Sequence, residues 1–129
     1  MKKNVQPTSP EGETIAFTAE CPGRAVFNHI ASRWGLLLLV TLGERPLRFH
    51  LLRDSIEGIS EKMLSQTLKF LVRDGLVRRL VEPTIPPRVT YELTPIGGEL
   101  AAPLRDLVGQ LGRRVPDILA AQVAYDRQP

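Results

Sequence analysis

The sequence predicts a mainly α fold with a small β-hairpin, and three observations predict it. An apolar stripe at helical spacing fills residues 60–74 and stops at Asp74-Gly75, two strand-like runs follow around a proline-rich turn, and Thr94-Pro95 opens another striped helix. Helix, hairpin and helix in that order outline a winged helix-turn-helix. A chain of 129 residues suits one core and is too short to divide comfortably into two.

Residues 1–14 are polar and proline-containing, with too little apolar content to bury, so a flexible tail is expected there and one domain over residues 15–129. Cys21-Pro22 opens the first helix, because proline suits a first turn whose amide hydrogens have no partner in the helix. Ala25, Phe27, Ile30 and Ala31 give it an apolar face. Ser32-Arg33 breaks the pattern, and residues 34–42 form a second helix that is apolar nearly all round and belongs in the core.

Gly43 to Pro46 is a stop signal, after which Leu47, Leu51 and Leu52 predict a short helix over residues 47–55. Gly58 turns the chain into the next helix. Ser60 is its expected N-cap, and Glu61 favours the positive end of the helix dipole. Leu64, Leu68, Leu71 and Val72 line the buried face, and Gly75 supplies the left-handed residue that ends the helix.

Residues 76–81 and 88–93 read as strands. The second alternates cleanly, with Val89, Tyr91 and Leu93 on one face; the first, with Arg78 and Arg79 adjacent, alternates poorly. Pro83, Pro86 and Pro87 stiffen the loop between them. Thr94 and Pro95 are then N-cap and first residue of a helix striped by Leu100, Leu104, Leu107, Val108 and Leu111, and a final helix is expected over residues 116–125. Part of these stripes exceeds what a small core needs, which points to pairing with a second subunit.

Composition excludes more than it assigns. Hydrophobic residues at 43% and charged ones at 24% mark an ordinary globular chain, and an aromatic share of 5% argues against a stacking platform for single strands. The net charge of +3 permits an anionic partner without identifying one. No export signal follows Lys2-Lys3, and the longest apolar run, residues 36–40, is far too short to span a bilayer, so a cytoplasmic location without membrane contact is expected. His29 and His50 lack metal-ligand spacing, Cys21 lacks a companion histidine in a nucleophile motif, and there is no glycine-rich phosphate loop. Neither an enzyme nor a bound cofactor or metal is expected.

The outer side of the 60–74 helix carries Lys62, Ser65, Gln66 and Lys69. A major groove about 12 Å wide admits one helix, and these side chains can bond base edges or phosphates. Arg88, at the base of a rigid proline loop, suits a minor groove or a phosphate. The alternative is a winged helix used for contacts with another protein.

Cys21-Pro22, Arg33-Trp34, Leu37-Leu38, Arg48-Phe49, the run from Gly58-Ile59-Ser60 to Leu64, Asp74-Gly75-Leu76-Val77, the run from Pro86-Pro87-Arg88 to Tyr91, and Leu93-Thr94 together resemble the signature of HxlR-type transcriptional regulators. The resemblance spans residues 20–112. It implies a winged helix-turn-helix with flanking dimerisation helices, of MarR-like architecture, binding double-stranded DNA as a homodimer on an inverted-repeat operator. Carried onto this chain, it makes residues 60–74 the recognition helix and residues 83–88 the wing. It implies DNA contacts from Arg48, Ser60, Lys62, Ser65, Gln66, Lys69 and Arg88, with dimer contacts around residues 21–30 and 100–111. Leu51 and Gly35 depart from the family's usual polar residues. The family includes thiol-based sensors with a cysteine in the place of Cys21, and a helix N-terminus favours the thiolate. A lone cysteine can respond only through a small adduct or a bond between subunits; any small-molecule effector is unspecified.

Overall fold

The computed structural model describes residues 19–129. The expected tail over residues 1–14 lies outside the described residues. The elements are α1 (Pro22–Ile30), α2 (Arg33–Leu42), β1 (Leu47–Arg48), α3 (Phe49–Ser55), α4 (Glu61–Arg73), β2 (Val77–Glu82), β3 (Arg88–Leu93) and α5 (Pro95–Asp126).

Cys21 is the N-cap of α1 and Pro22 its first residue. The turn into α2 is held by Ser32, whose hydroxyl donates to the His29 carbonyl (2.8 Å) and accepts from the Gly35 amide (3.0 Å). A Cβ on Gly35 would lie 2.0 Å from the His29 carbonyl oxygen, so the two helices meet through bare backbone. This contact gives a physical reason for the glycine that departs from the family pattern. Leu38, Leu39 and Leu42 of α2 form the centre of the core. Leu52 of α3, Leu64, Leu68 and Leu71 of α4, Leu76, Val77, Tyr91 and Ala101 of α5 close around them. Leu51, by contrast, is exposed and contributes nothing to the core.

The helix expected over residues 47–55 is shorter than its apolar spacing suggests. Leu47 and Arg48 instead form β1, pairing antiparallel with Tyr91 and Thr90 of β3, and α3 begins only at Phe49. A distant strand with free backbone groups outcompetes a first helical turn, whose amides gain no helical partner. The sheet order is β1-β3-β2. β2 and β3 form the expected hairpin, in a register that sets Arg79 opposite Tyr91 and Glu82 opposite Arg88. β2 begins one residue later than the sequence indicates, because Leu76 closes the turn after α4, donating its amide to the Leu71 carbonyl (3.0 Å).

The two C-terminal helices expected are one. α5 runs unbroken for 32 residues with Pro103 and Pro116 inside it. Each proline removes one backbone donor, but the apolar spacing continues in phase across both. Leu104, Val108, Leu111, Val115 and Ile118 follow at alternating intervals of four and three. Beyond Leu104 every residue of this helix is exposed. No single helix among the described residues is long and apolar enough to cross a membrane.

One junction ties α4 and the hairpin to α5. Thr94 accepts the Gly97 amide as N-cap (3.0 Å) while its hydroxyl donates to the Gly75 carbonyl (2.6 Å), and its amide donates to the Leu76 carbonyl (3.0 Å). A Cβ on Gly97 would fall 2.0 Å from that Leu76 oxygen. The end of α4, the start of the hairpin and the start of α5 therefore share a few backbone atoms.

Candidate nucleic-acid interface

The helix-turn-helix consists of α3, a turn through Gly58 at φ 91° and α4. Ser60 caps α4 as expected, its hydroxyl accepting from the Met63 amide (3.1 Å), and Asp74 and Gly75 end it, Gly75 at φ 78°. With Leu64, Leu68 and Leu71 buried, a period of 3.6 turns Lys62, Gln66, Lys69 and Arg73 away from the core as one stripe. Ser65 lies to one side of it, half-buried, facing the sheet. Ser60 stands at the helix N-terminus with its acceptor already committed to the cap.

Arg53 joins α3 to the first turn of α4 through Glu61 (2.5 Å), with Asp54 also in reach (3.4 Å). The hydrogen bonds to Glu61 first, and to Asp54 next, raise the Arg53 guanidinium above its ordinary value. Being exposed, this link orients the two helices more than it stabilises them. Arg78 is likewise engaged, by Glu92 across the hairpin (3.5 Å). Lys62, Lys69, Arg73, Arg79, Arg48 and Arg88 differ: their side chains make no ion pair or hydrogen bond among the described residues.

Five of these free cations fall into two groups around the wing, with Lys62 apart at the start of α4. Arg48 and Arg88 line one groove with Phe49, His50 and the proline loop, placing the end of β1 beside the base of the wing. Ser65, Lys69 and Arg73 of α4 line a notch with Arg79 and Tyr91 of the sheet. Neither Arg73 nor Arg79 stands out in the sequence as a contact. Arg73 completes the spacing Lys62, Gln66, Lys69, a signal that was legible; Arg79 reaches this side only through strand register with Tyr91.

A helix capped at its N-terminus, bearing unpaired cations and an amide on its outer stripe, lies beside a hairpin with its own unpaired arginines. The chain matches the HxlR-like helix-turn-helix family over residues 29–119. It belongs to that family. An HTH-type transcriptional regulator of Escherichia coli, YtfH, itself uncharacterized, is 42% identical over 106 residues, covering 82% of this chain and 84% of the relative. The solved structure of ytfH from Salmonella typhimurium has a TM-score of 0.77 at 40% identity, over 82% of this chain and 95% of that one. Diamide-treated YodB of Bacillus subtilis has a TM-score of 0.62 at 32% identity, over 74% and 96%.

As an HxlR-like protein the chain is a transcriptional regulator with a winged helix-turn-helix, and the family implies DNA binding. Cys21, at the N-cap of α1, is 4% exposed, a free thiol that caps no amide of α1. His29, near the end of α1, donates from Nδ1 to Asp74 Oδ2 (2.6 Å) and stacks on Phe70 at a centroid distance of 4.5 Å. A carboxylate can only accept, so the imidazole proton sits on Nδ1. Because the Asp74 side chain is only 5% exposed, Asp74→Ala leaves the ring nitrogen without its partner and is expected to cost about 2 kcal/mol in urea denaturation, with a smaller loss for Asp74→Asn, which keeps an acceptor.

Proposed function

We propose that this regulator binds double-stranded DNA sequence-specifically as a homodimer, with α4 in the major groove and the wing on the adjacent minor groove or backbone. The unpaired stripe on α4 carries the reading. Its structured neighbours, Arg53 and Arg78, have carboxylate partners, whereas the stripe and the wing keep their cations available. Gln66 reads a base edge, Lys62 and Lys69 grip phosphates or bases along the groove, and Ser60 and Ser65 add hydrogen bonds at its two sides. Arg48 and Arg88 hold the backbone or minor groove at the wing. The domain spans residues 15–129.

The second copy docks along α5. Val108, Leu111, Val115 and Ile118 are exposed, and alternating intervals of four and three on one continuous helix make a coiled-coil seam. The α1 segment, with Phe27 exposed, supplies a further contact. Two-fold pairing presents two recognition helices to half-sites about 34 Å apart on an inverted repeat.

Selection of duplexes from random DNA by the purified protein, followed by titration against salt, tests this reading. A palindromic consensus and an affinity that falls steeply with salt are expected; failure to retain any duplex would overturn it. Arg88→Ala is expected to lower the salt slope by about one per half-site, equally for all sequences. Gln66→Ala should cost about 1–3 kcal/mol at a single base-pair position, and an unchanged preference at every position removes Gln66 from base readout.

Cys21 is proposed as an oxidation sensor, supported by its place at the N-cap of α1, the helix proposed above as a dimer contact, and by the likeness to YodB, which has been solved after diamide treatment. Diamide would take two hydrogens from two thiols, joining Cys21 of both subunits or linking each to a small thiol. Mass spectrometry should detect the product together with altered operator affinity, absent in Cys21→Ser. Unchanged affinity of fully modified protein ends the sensing proposal.

A further inference from the structure

The notch between α4 and the sheet gathers like charge with nothing to balance it. Lys69 and Arg73 from the helix and Arg79 from β2 line it together, and no carboxylate is among the lining residues. Ser65 and Tyr91 complete its polar wall; Tyr91 is 9% exposed, and its hydroxyl has no hydrogen-bond partner among the described residues. A tyrosine hydroxyl without a protein partner is free to donate, and converging cations repel unless an anion joins them. Arg78, one residue away on the opposite face of the same strand, is neutralised by Glu92. Of these two neighbouring arginines on β2, the one that lines the notch is therefore the unpaired one.

DNA supplies an anion at this place by geometry alone. When a helix occupies a major groove and a hairpin follows into the neighbouring minor groove, one sugar-phosphate strand must pass between them, because each groove is bounded by the backbones. The space between α4 and the hairpin is this notch. We propose that Lys69, Arg73 and Arg79, with the Tyr91 hydroxyl as a fourth donor, hold a backbone phosphate of that strand, one in each half-site. The site rests on the DNA-binding reading above. It fixes how far α4 sinks into the groove, and it carries no base preference.

Salt titrations of the full-length protein on a selected duplex and on a random one test the site. Arg73→Ala and Arg79→Ala are each expected to lower the magnitude of the log Kd against log salt slope by about 2 per dimer, one phosphate per half-site, and to weaken both duplexes by a similar factor. Arg73→Lys and Arg79→Lys keep the charge and the slope, and Arg78→Ala leaves the slope unchanged. Tyr91→Phe weakens both duplexes without altering the slope. With wild-type protein, neutral methylphosphonates placed one at a time along the operator should reveal one position per half-site whose substitution weakens wild type but not Arg79→Ala. The wild-type half of this readout does not depend on how a variant folds, and loss of affinity at that position in wild type alone already locates the phosphate. Full slopes in both alanine variants, an equal loss in Arg78→Ala, an effect confined to one base pair, or no such phosphate would overturn the notch while leaving DNA binding intact. Failure of wild type to bind any duplex would remove the DNA-binding reading, and the notch with it.

Discussion

Leu111→Glu combined with Ile118→Glu is expected to yield a folded monomer that has lost its hold on operator DNA. Both side chains are exposed on a helix whose residues beyond Leu104 bury nothing in the chain's own core. Two carboxylates on the proposed seam must then either stay in water, keeping the subunits apart, or be desolvated without partners at a cost of several kcal/mol. Because a dimer makes its second half-site contact at high effective concentration, separation should weaken operator binding by about 10²–10⁴ while leaving nonspecific binding per subunit largely unchanged. Sedimentation gives the mass, expected to match one 14.4 kDa chain, and a thermal melt reports the fold. A variant that remains dimeric would show that α5 is not the seam.

Gly97→Ala is expected to be among the most destabilising single-methyl changes in the protein. The new Cβ would sit 2.0 Å from the Leu76 carbonyl oxygen, which belongs to backbone that cannot rotate away. That oxygen also accepts the Thr94 amide, so moving it loosens the α5 cap as well. A loss on the order of 3 kcal/mol is expected, at the upper end of overpacking. Gly98→Ala, with nothing within 4 Å of the added carbon, should instead gain up to about 1 kcal/mol from helix propensity. Urea denaturation of both variants at one protein concentration checks the pair, and equal effects would contradict the close approach at Gly97.

Local chemistry made much of the fold readable in advance. Ser60, Gly75 and Thr94 each act through atoms within a few residues, so the bounds of α4 and the start of α5 followed from caps and turns. β3 alternated cleanly because one of its faces packs on the core. β1 carried no such signal: two residues become a strand only because Tyr91 and Thr90 lie beside them, more than forty positions later in the chain. Pro116 read as a helix boundary because a proline's local preference is visible and the continuity of the surrounding apolar phase is weighed only once the whole helix is traced. Of the interface, the α4 stripe was legible from spacing. Arg79 was not, since its side of the strand depends on hairpin register. The burial of Cys21, at 4% exposed, follows the ordinary tendency of its residue type to lie inside.

The unbroken α5 acts as a lever. At 1.5 Å per residue it is about 48 Å long, and roughly 33 Å of that extends beyond Leu104. Its fulcrum is the contact of Gly97 with Leu76. A tilt of ~10° there would sweep the far end, about 44 Å away, by ~8 Å, a little over two base steps of about 3.4 Å. In a pair of chains clasped along this helix, the separation of the two recognition helices is thus calibrated at a glycine that touches no DNA. Substitutions around that fulcrum mild enough to preserve the fold should change the preferred spacer between half-sites while the sequence read within each half-site stays the same.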